Sequence, residues 1–127
     1  MYDQLMIGKQ TGFSLIEVLI GSIFLAIGLL AVGGLQITSI RGNSFSGNLM
    51  QATYAAQDGL EFLRSISLDH ASLTEGDHDD SDVTVSGIVF NRSYSIIPND
   101  NLRTINYTVT WNDGKNHTLT FSTIRFQ

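Results

Sequence analysis

Apolar and polar positions change period three times along the chain. From Val18 to Ile40 no charged residue occurs and most positions are apolar. About 20 such residues, as a helix, cross the hydrocarbon core of a bilayer. A soluble domain of this size has no use for so long a run, so the pattern predicts a membrane helix over residues 13–40. Beyond it Phe45, Leu49, Ala52, Ala56, Leu60 and Leu63 recur at spacings of three and four. That is one apolar stripe on a helix. Asp58, Glu61 and Arg64 lie off the stripe, and Glu61 with Arg64 forms an i,i+3 pair. One helix is therefore expected from about Phe13 to about Leu68, on the order of 80 Å at 1.5 Å per residue. Gly33, Gly34, Gly42 and Gly47 interrupt it. Each costs about 1 kcal/mol relative to alanine, so a bend or soft stretch is expected between Gly33 and Gly47.

Residues 69–82 have no apolar period and hold Asp69, Glu75, Asp77, Asp79, Asp80 and Asp82. They read as a solvated loop. From Ile88 the period becomes two. Ile88, Phe90, Tyr94 and Ile96 share one face, with Arg92 on the same parity. Pro98-Asn99-Asp100-Asn101 is a turn cluster. Ile105, Tyr107, Val109 and Trp111 then alternate with Thr104, Asn106, Thr108 and Thr110, followed by a turn at Asn112-Asp113-Gly114 and a return strand with Leu119 and Phe121. A two-residue loop at Asp113-Gly114 would set apolar side chains opposite polar ones. A three-residue loop with Gly114 left-handed sets Trp111 opposite Lys115, Tyr107 opposite Leu119 and Ile105 opposite Phe121, and is preferred. A five-residue loop satisfies the same parity. The fold class is thus α+β. A long N-terminal helix, its first half transmembrane, packs its stripe on a small antiparallel sheet of about three strands. Leu60 and Trp111 are expected at the helix–sheet interface.

Charge and composition narrow the function. The formal net charge is −5, which argues against nucleic acid as a main partner. The chain has no cysteine, so disulfides, zinc–thiolate sites and thiol nucleophiles are excluded. The part beyond Ile40 is large enough for one small core and not for two. Residues 1–12 do not read as an ordinary secretory signal, because no small-x-small site follows the apolar run. Lys9 precedes the run and Arg41 follows it, so flanking charge does not set its orientation.

The candidate chemistry is sparse. Glu17 is a lone carboxylate near the start of the apolar run, four residues after Phe13. Such a group is expensive in hydrocarbon and usually functional, the plain alternative being a side chain that snorkels to the headgroups. The run Asp77-His78-Asp79-Asp80-Ser81-Asp82, with His70 nearby, offers oxygen ligands for calcium. It lacks the glycine at the sixth position and the acid at the twelfth that a helix-loop-helix calcium site requires, and a solvated loop is preferred. His117 reads as an exposed strand residue. Asn-x-Ser/Thr triplets at Asn91, Asn106 and Asn116 are discounted, two of them lying inside strands. No nucleophile elbow, phosphate-binding glycine loop or paired carboxylates occur. The chain reads as non-enzymatic, with no cofactor or metal.

Gly12-Phe13-Ser14-Leu15-Ile16-Glu17, followed by the uninterrupted apolar run, resembles the processing site of type IV prepilins and pseudopilins. The resemblance implies a leader over residues 1–12, cut by a prepilin peptidase between Gly12 and Phe13. It implies N-methylation of the new Phe13 amine, a role for Glu17 in subunit register, and a filament-core segment over 13–40. It also implies an exported pilin-like domain over 41–127 and a cytoplasmic N-terminus in the inner membrane. Many pilins carry a proline near position 34; the Gly33-Gly34 pair stands there instead. Gly28-Leu29-Leu30, Gly34-Leu35-Gln36, Ile40-Arg41, Gly59-Leu60-Glu61-Phe62-Leu63-Arg64 and Val109-Thr110-Trp111 resemble the PilV-type minor pilins. That implies the other minor pilins, the major pilin and the inner-membrane assembly platform as partners. A minor pseudopilin of type II secretion, or a bitopic membrane-anchored periplasmic binding module, is the alternative.

Overall fold

A computed structural model describes residues 12–126. Along the chain come α1 (Leu15–Ser65), a 3₁₀ turn (Ala71–Leu73), β1 (Gly76–Val85), β2 (Ile88–Asn99), β3 (Leu102–Asn112) and β4 (Asn116–Phe126). The fold is α+β, as the periods imply. Cα packing divides the chain into two compact units at Gly42/Asn43, within the glycine-bearing stretch. Helical structure nevertheless runs unbroken through Gly33, Gly34, Gly42 and Gly47. It ends at Ser65, a little short of the expected Leu68.

In the first unit α1 stands alone, and its large apolar side chains from Leu15 to Ile40 are all exposed. This is the one helix, among the described residues, long and apolar enough to span a membrane. Two of its hydroxyls bond back within the helix: Ser22 Oγ donates to Val18 O at 2.7 Å, and Thr38 Oγ1 to Gly34 O at 3.1 Å, the local pairing that lowers the cost of a hydroxyl in apolar surroundings.

The second unit is a four-stranded antiparallel meander in the order β1-β2-β3-β4, with the C-terminal part of α1 on one face. Alternation does what the sequence promised. Phe90, Arg92, Tyr94 and Ile96 of β2 and Ile105, Tyr107, Val109 and Trp111 of β3 are buried beneath Ala52, Ala56, Leu60 and Leu63 of α1. Leu60 and Trp111 share this core. Each fully buried aliphatic side chain contributes about 1.5–3 kcal/mol. The stripe is narrower than expected: Phe45 and Leu49, at its start, remain exposed.

Two expectations fail. The first is the loop at 69–82, whose last seven residues lie in β1. A strand with aspartates on both faces has no apolar period to see. It forms because its helix-facing positions find polar or aromatic partners. His78 stacks on Tyr94 at 4.9 Å, and Asp80 accepts from the Tyr107 hydroxyl at 2.5 Å. The strand lies at the sheet edge, where charge is tolerated and discourages further pairing. It closes on β2 through Ser86-Gly87, both at positive φ (51° and 82°), the conformation that a two-residue hairpin favours.

The second is the β3–β4 register. Trp111 pairs with His117, Val109 with Leu119 and Tyr107 with Phe121. The turn is three residues long as preferred, Asp113-Gly114-Lys115 between paired Asn112 and Asn116, but the register is shifted by two residues from the expected one, with parity preserved. Gly114 does sit at positive φ (104°). Two features select the shift. Asn112 Nδ2 donates to Asn116 Oδ1 at 2.6 Å and Asn112 Oδ1 accepts from Gly114 N at 2.9 Å, which closes the turn. The shift also sets Tyr107 against Phe121 and Trp111 against His117. Rows of rings then cross the sheet, His78–Tyr94–Tyr107 and Phe90–Trp111–His117, each ring directly opposite the next. Such cross-strand aromatic pairs are among the favourable ones.

Candidate functional site

The N-terminal candidates fall on adjoining turns. Gly12 and Phe13 precede α1 without regular secondary structure, and Phe13 is 83% exposed. Ser14 O accepts from Glu17 N at 3.0 Å and from Val18 N at 3.2 Å, which starts the helix one residue before Leu15. Glu17 is the acidic residue of the first turn, where a carboxylate meets the positive end of the helix dipole. It is exposed, like every apolar side chain around it. The Gly12–Phe13 bond is therefore sterically open, and Glu17 stands one helical turn beyond it. Residues 1–11 of the expected leader, Lys9 included, lie outside the described residues.

In the second unit two polar clusters form that periodicity did not announce. Arg92 is buried on the core-facing side of β2. Its guanidinium donates to Ser81 O (2.6 Å), Ser81 Oγ (2.9 Å) and Ala55 O (3.4 Å), and lies 3.4 Å from Asp58 and 3.6 Å from Asp80. The Asp58 side chain is 83% exposed, so the carbonyl and hydroxyl bonds carry more of this cation than that ion pair does. Asp80 also accepts from Tyr107, whose hydroxyl is pushed well above its ordinary value by burial, by that hydrogen bond and by the nearby carboxylate charge. The one available signal was Arg92 itself, a cation on an apolar parity.

The second cluster sits at the β3–β4 turn. Asn48 Nδ2 donates to Asp113 Oδ2 at 2.8 Å, and His117 Nε2 lies 2.9 Å from Asp113 Oδ1. The Asn48 amide first, then His117, hold the Asp113 carboxyl below its ordinary range. The buried Trp111 indole N–H has no acceptor within hydrogen-bonding geometry among the described residues. His117 is not the free strand residue expected: its ring lies 5.1 Å from Trp111 and 5.0 Å from Phe45. The Glu61–Arg64 pair does not form either. Arg64 Nη2 donates to Thr123 Oγ1 at 2.7 Å, bonding the helix to β4.

Arg92 is consumed by structural acceptors, and the Asp113–His117 pair is engaged by Asn48, Phe45 and Trp111. The aspartates of β1 alternate between the two faces of a strand, so Asp77 and Asp79 diverge from Asp80. Among the described residues no three acids or histidines converge on a point that could hold a metal ion. The discounted triplets fall at Asn91 in β2, Asn106 in β3 and Asn116 at the start of β4. Comparison with protein families, with curated proteins and with solved structures finds no match for this chain.

Proposed function

We propose that this chain is a minor pilin of a type IV pilus, a non-enzymatic subunit that helps initiate assembly and sits near the filament tip with other minor pilins. The observation that carries the reading is Gly12-Phe13 standing open just before a helix whose first turn bears Glu17 and whose apolar side chains have no protein cover. On this reading a prepilin peptidase cuts after Gly12 and the Phe13 amine is methylated. The cationic amine of one subunit then meets Glu17 of a neighbour. In hydrocarbon or a filament core each charge lowers the cost of burying the other. The pair thereby marks one register between subunits leaving the bilayer. Before assembly the chain is a single-pass inner-membrane protein with a cytoplasmic N-terminus. Afterwards it is at the cell surface in the pilus, where adhesion and motility are exerted. The pilin-like character of the α+β domain belongs to the same proposal.

Two measurements test it. Gly12→Leu should leave the precursor uncut and in the membrane; maturation to wild-type size would refute the peptidase assignment. N-terminal sequencing should find chains beginning at Phe13 in sheared filaments. Processed chains confined to the membrane fraction of secreting cells would favour the pseudopilin. Unprocessed chains throughout would favour the anchored binding module.

A further inference from the structure

Residues 43–51 of α1 begin the second unit's share of the helix and lie ahead of its core. Phe45, Leu49 and Met50 are exposed there, and full burial starts at Ala52. This stretch reaches the sheet through two side chains. Asn48 Nδ2 donates to Asp113 Oδ2 at 2.8 Å, and the Phe45 ring lies 5.0 Å from that of His117. Both contacts end on one pair, since His117 Nε2 stands 2.9 Å from Asp113 Oδ1. The His117 ring also stacks on Trp111 at 5.1 Å, with 26° between the planes. The side chains of His117 and Asp113 are 23% and 18% exposed, so water and salt screen the pair only in part.

We propose that the Asp113–His117 pair is an acid-tightened clasp that fastens this stretch of α1 to the β3–β4 turn. Imidazole is the side chain whose charge changes between pH 5 and 8. Asp113 is ionised across that range, because the Asn48 amide, then His117, hold its carboxyl below the ordinary value. Protonation of His117 turns its hydrogen bond to Asp113 into an ion pair. It also sets a cation against Phe45 of the helix and Trp111 of β3, within the ring distances of a cation–π contact. The Phe45 contact gains directly. The Asn48 contact gains because the ion pair fixes the carboxylate that accepts from it. Asn48 and His117 use different oxygens of Asp113, so they do not compete. A neutral ring keeps the hydrogen bond and loses the charge, so the fastened form gains as pH falls and the clasp slackens as pH rises. No charge facing the ring opposes this. α1 presents Phe45 and Asn48, β3 presents Trp111, and the turn presents Asp113, the one charged group in ion-pair contact with His117 among the described residues. Lys115, in the same turn, is exposed. β4 is an edge strand, so no further strand lies beside the ring. Every contact of the clasp lies within the second unit. It is expected whether or not the Gly12–Phe13 bond is cut, and so stands apart from the filament reading.

Two features of the chain make the clasp measurable. Trp111 is its one tryptophan, and it has no cysteine. A protonated imidazole stacked on an indole quenches its emission, so Trp111 fluorescence reports the charge on His117. A spin label on Ser44→Cys, at an exposed position, reports motion of the helix stretch. The full-length chain in lipid nanodiscs is titrated from pH 8 to pH 5. Emission should fall and the label should slow over the same interval. His117→Gln should abolish both responses, whereas His70→Gln and His78→Gln should leave them. Phe45→Leu, at an exposed apolar position, should keep the emission change and lose the label's response. A label response that survives His117→Gln or Phe45→Leu would overturn the clasp. So would a wild-type chain whose emission is flat across the interval, or whose label stays indifferent while the emission changes.

Discussion

Gly59 lies where α1 passes closest to β3, and a β-carbon there would collide with the ring and hydroxyl of Tyr107. Tyr107 cannot move aside, because it is fully buried and its hydroxyl is held by Asp80. Gly59→Ala should therefore cost about 1–3 kcal/mol, the usual range for overpacking a core, despite alanine's better helix propensity. Chemical denaturation measures this, and a neutral or stabilising result would contradict the close approach. Tyr107 also sets an alkaline limit. Its hydroxyl is raised above the ordinary value of 10.0 in the fold, mainly by burial. The unfolded chain thus releases this proton first, and stability present below about pH 10 is lost as pH rises beyond it. Tyr107→Phe should flatten that alkaline decline while lowering stability at neutral pH through the lost hydrogen bond to Asp80. At this scale the sequence was only half legible. Arg92 stood out by its parity, but its acceptors, Ser81 and Ala55, lie on segments far along the chain and no local pattern points to them.

Among the elements, β2 and β3 were the most readable because each has one buried face, and burial imposes strict alternation. β1 was misread because its partners are polar, although Val83-Thr84-Val85-Ser86-Gly87-Ile88-Val89-Phe90 held a hairpin signal: two β-branched runs about a Ser-Gly turn. The strand makes a direct prediction. Amide exchange in Asp77–Asp80 and Val83–Val85 should show alternating protection, the protected amides being those that bond to β2. Uniformly fast exchange across both stretches would restore the solvated loop. For α1, length and period were legible, but where its stripe ends was not. Phe45 and Leu49 have the right spacing, yet the buried core closes at Ala52: beyond it α1 meets only the β3–β4 end of the sheet, through Asn48 and Phe45.

For the whole molecule, the N-terminal part of α1 is apolar and uncovered, whereas the unit beyond Gly42 has a core of its own. On the proposed reading Glu17 matters only when subunits meet. Glu17→Ala should leave cleavage and the core of the second unit intact and reduce entry into filaments or pairing with other minor pilins, with Glu17→Asp intermediate. Crosslinking from the first helical turn to a partner subunit reads this directly. Wild-type incorporation of Glu17→Ala would remove the register role and leave recognition by the processing enzyme, or snorkelling to headgroups. The apolar run was legible because the same demand, apolarity, recurs at nearly every position in it. The partner of Glu17 was not, because it is absent from a single chain.

Arg103 and Arg125 face each other across β3 and β4, a like-charge pairing that ordinarily weakens a sheet. Here each reaches away to the chain leaving α1. Arg125 donates to Leu63 O and Ile66 O at 2.7 and 2.6 Å, and Arg103 to Leu68 O and Leu73 O at 2.5 and 2.9 Å. The last turn of a helix carries partial negative charge and free carbonyls, which suits the Arg125 bond to Leu63 O. The consequence is mechanical. A pull transmitted along α1 enters the sheet through four charge-assisted bonds, one to the last turn of the helix and three to the chain that follows it, as well as through the core. Those bonds grip an inner strand, β3, and an edge strand, β4, so tension is spread across two strands before either is peeled away.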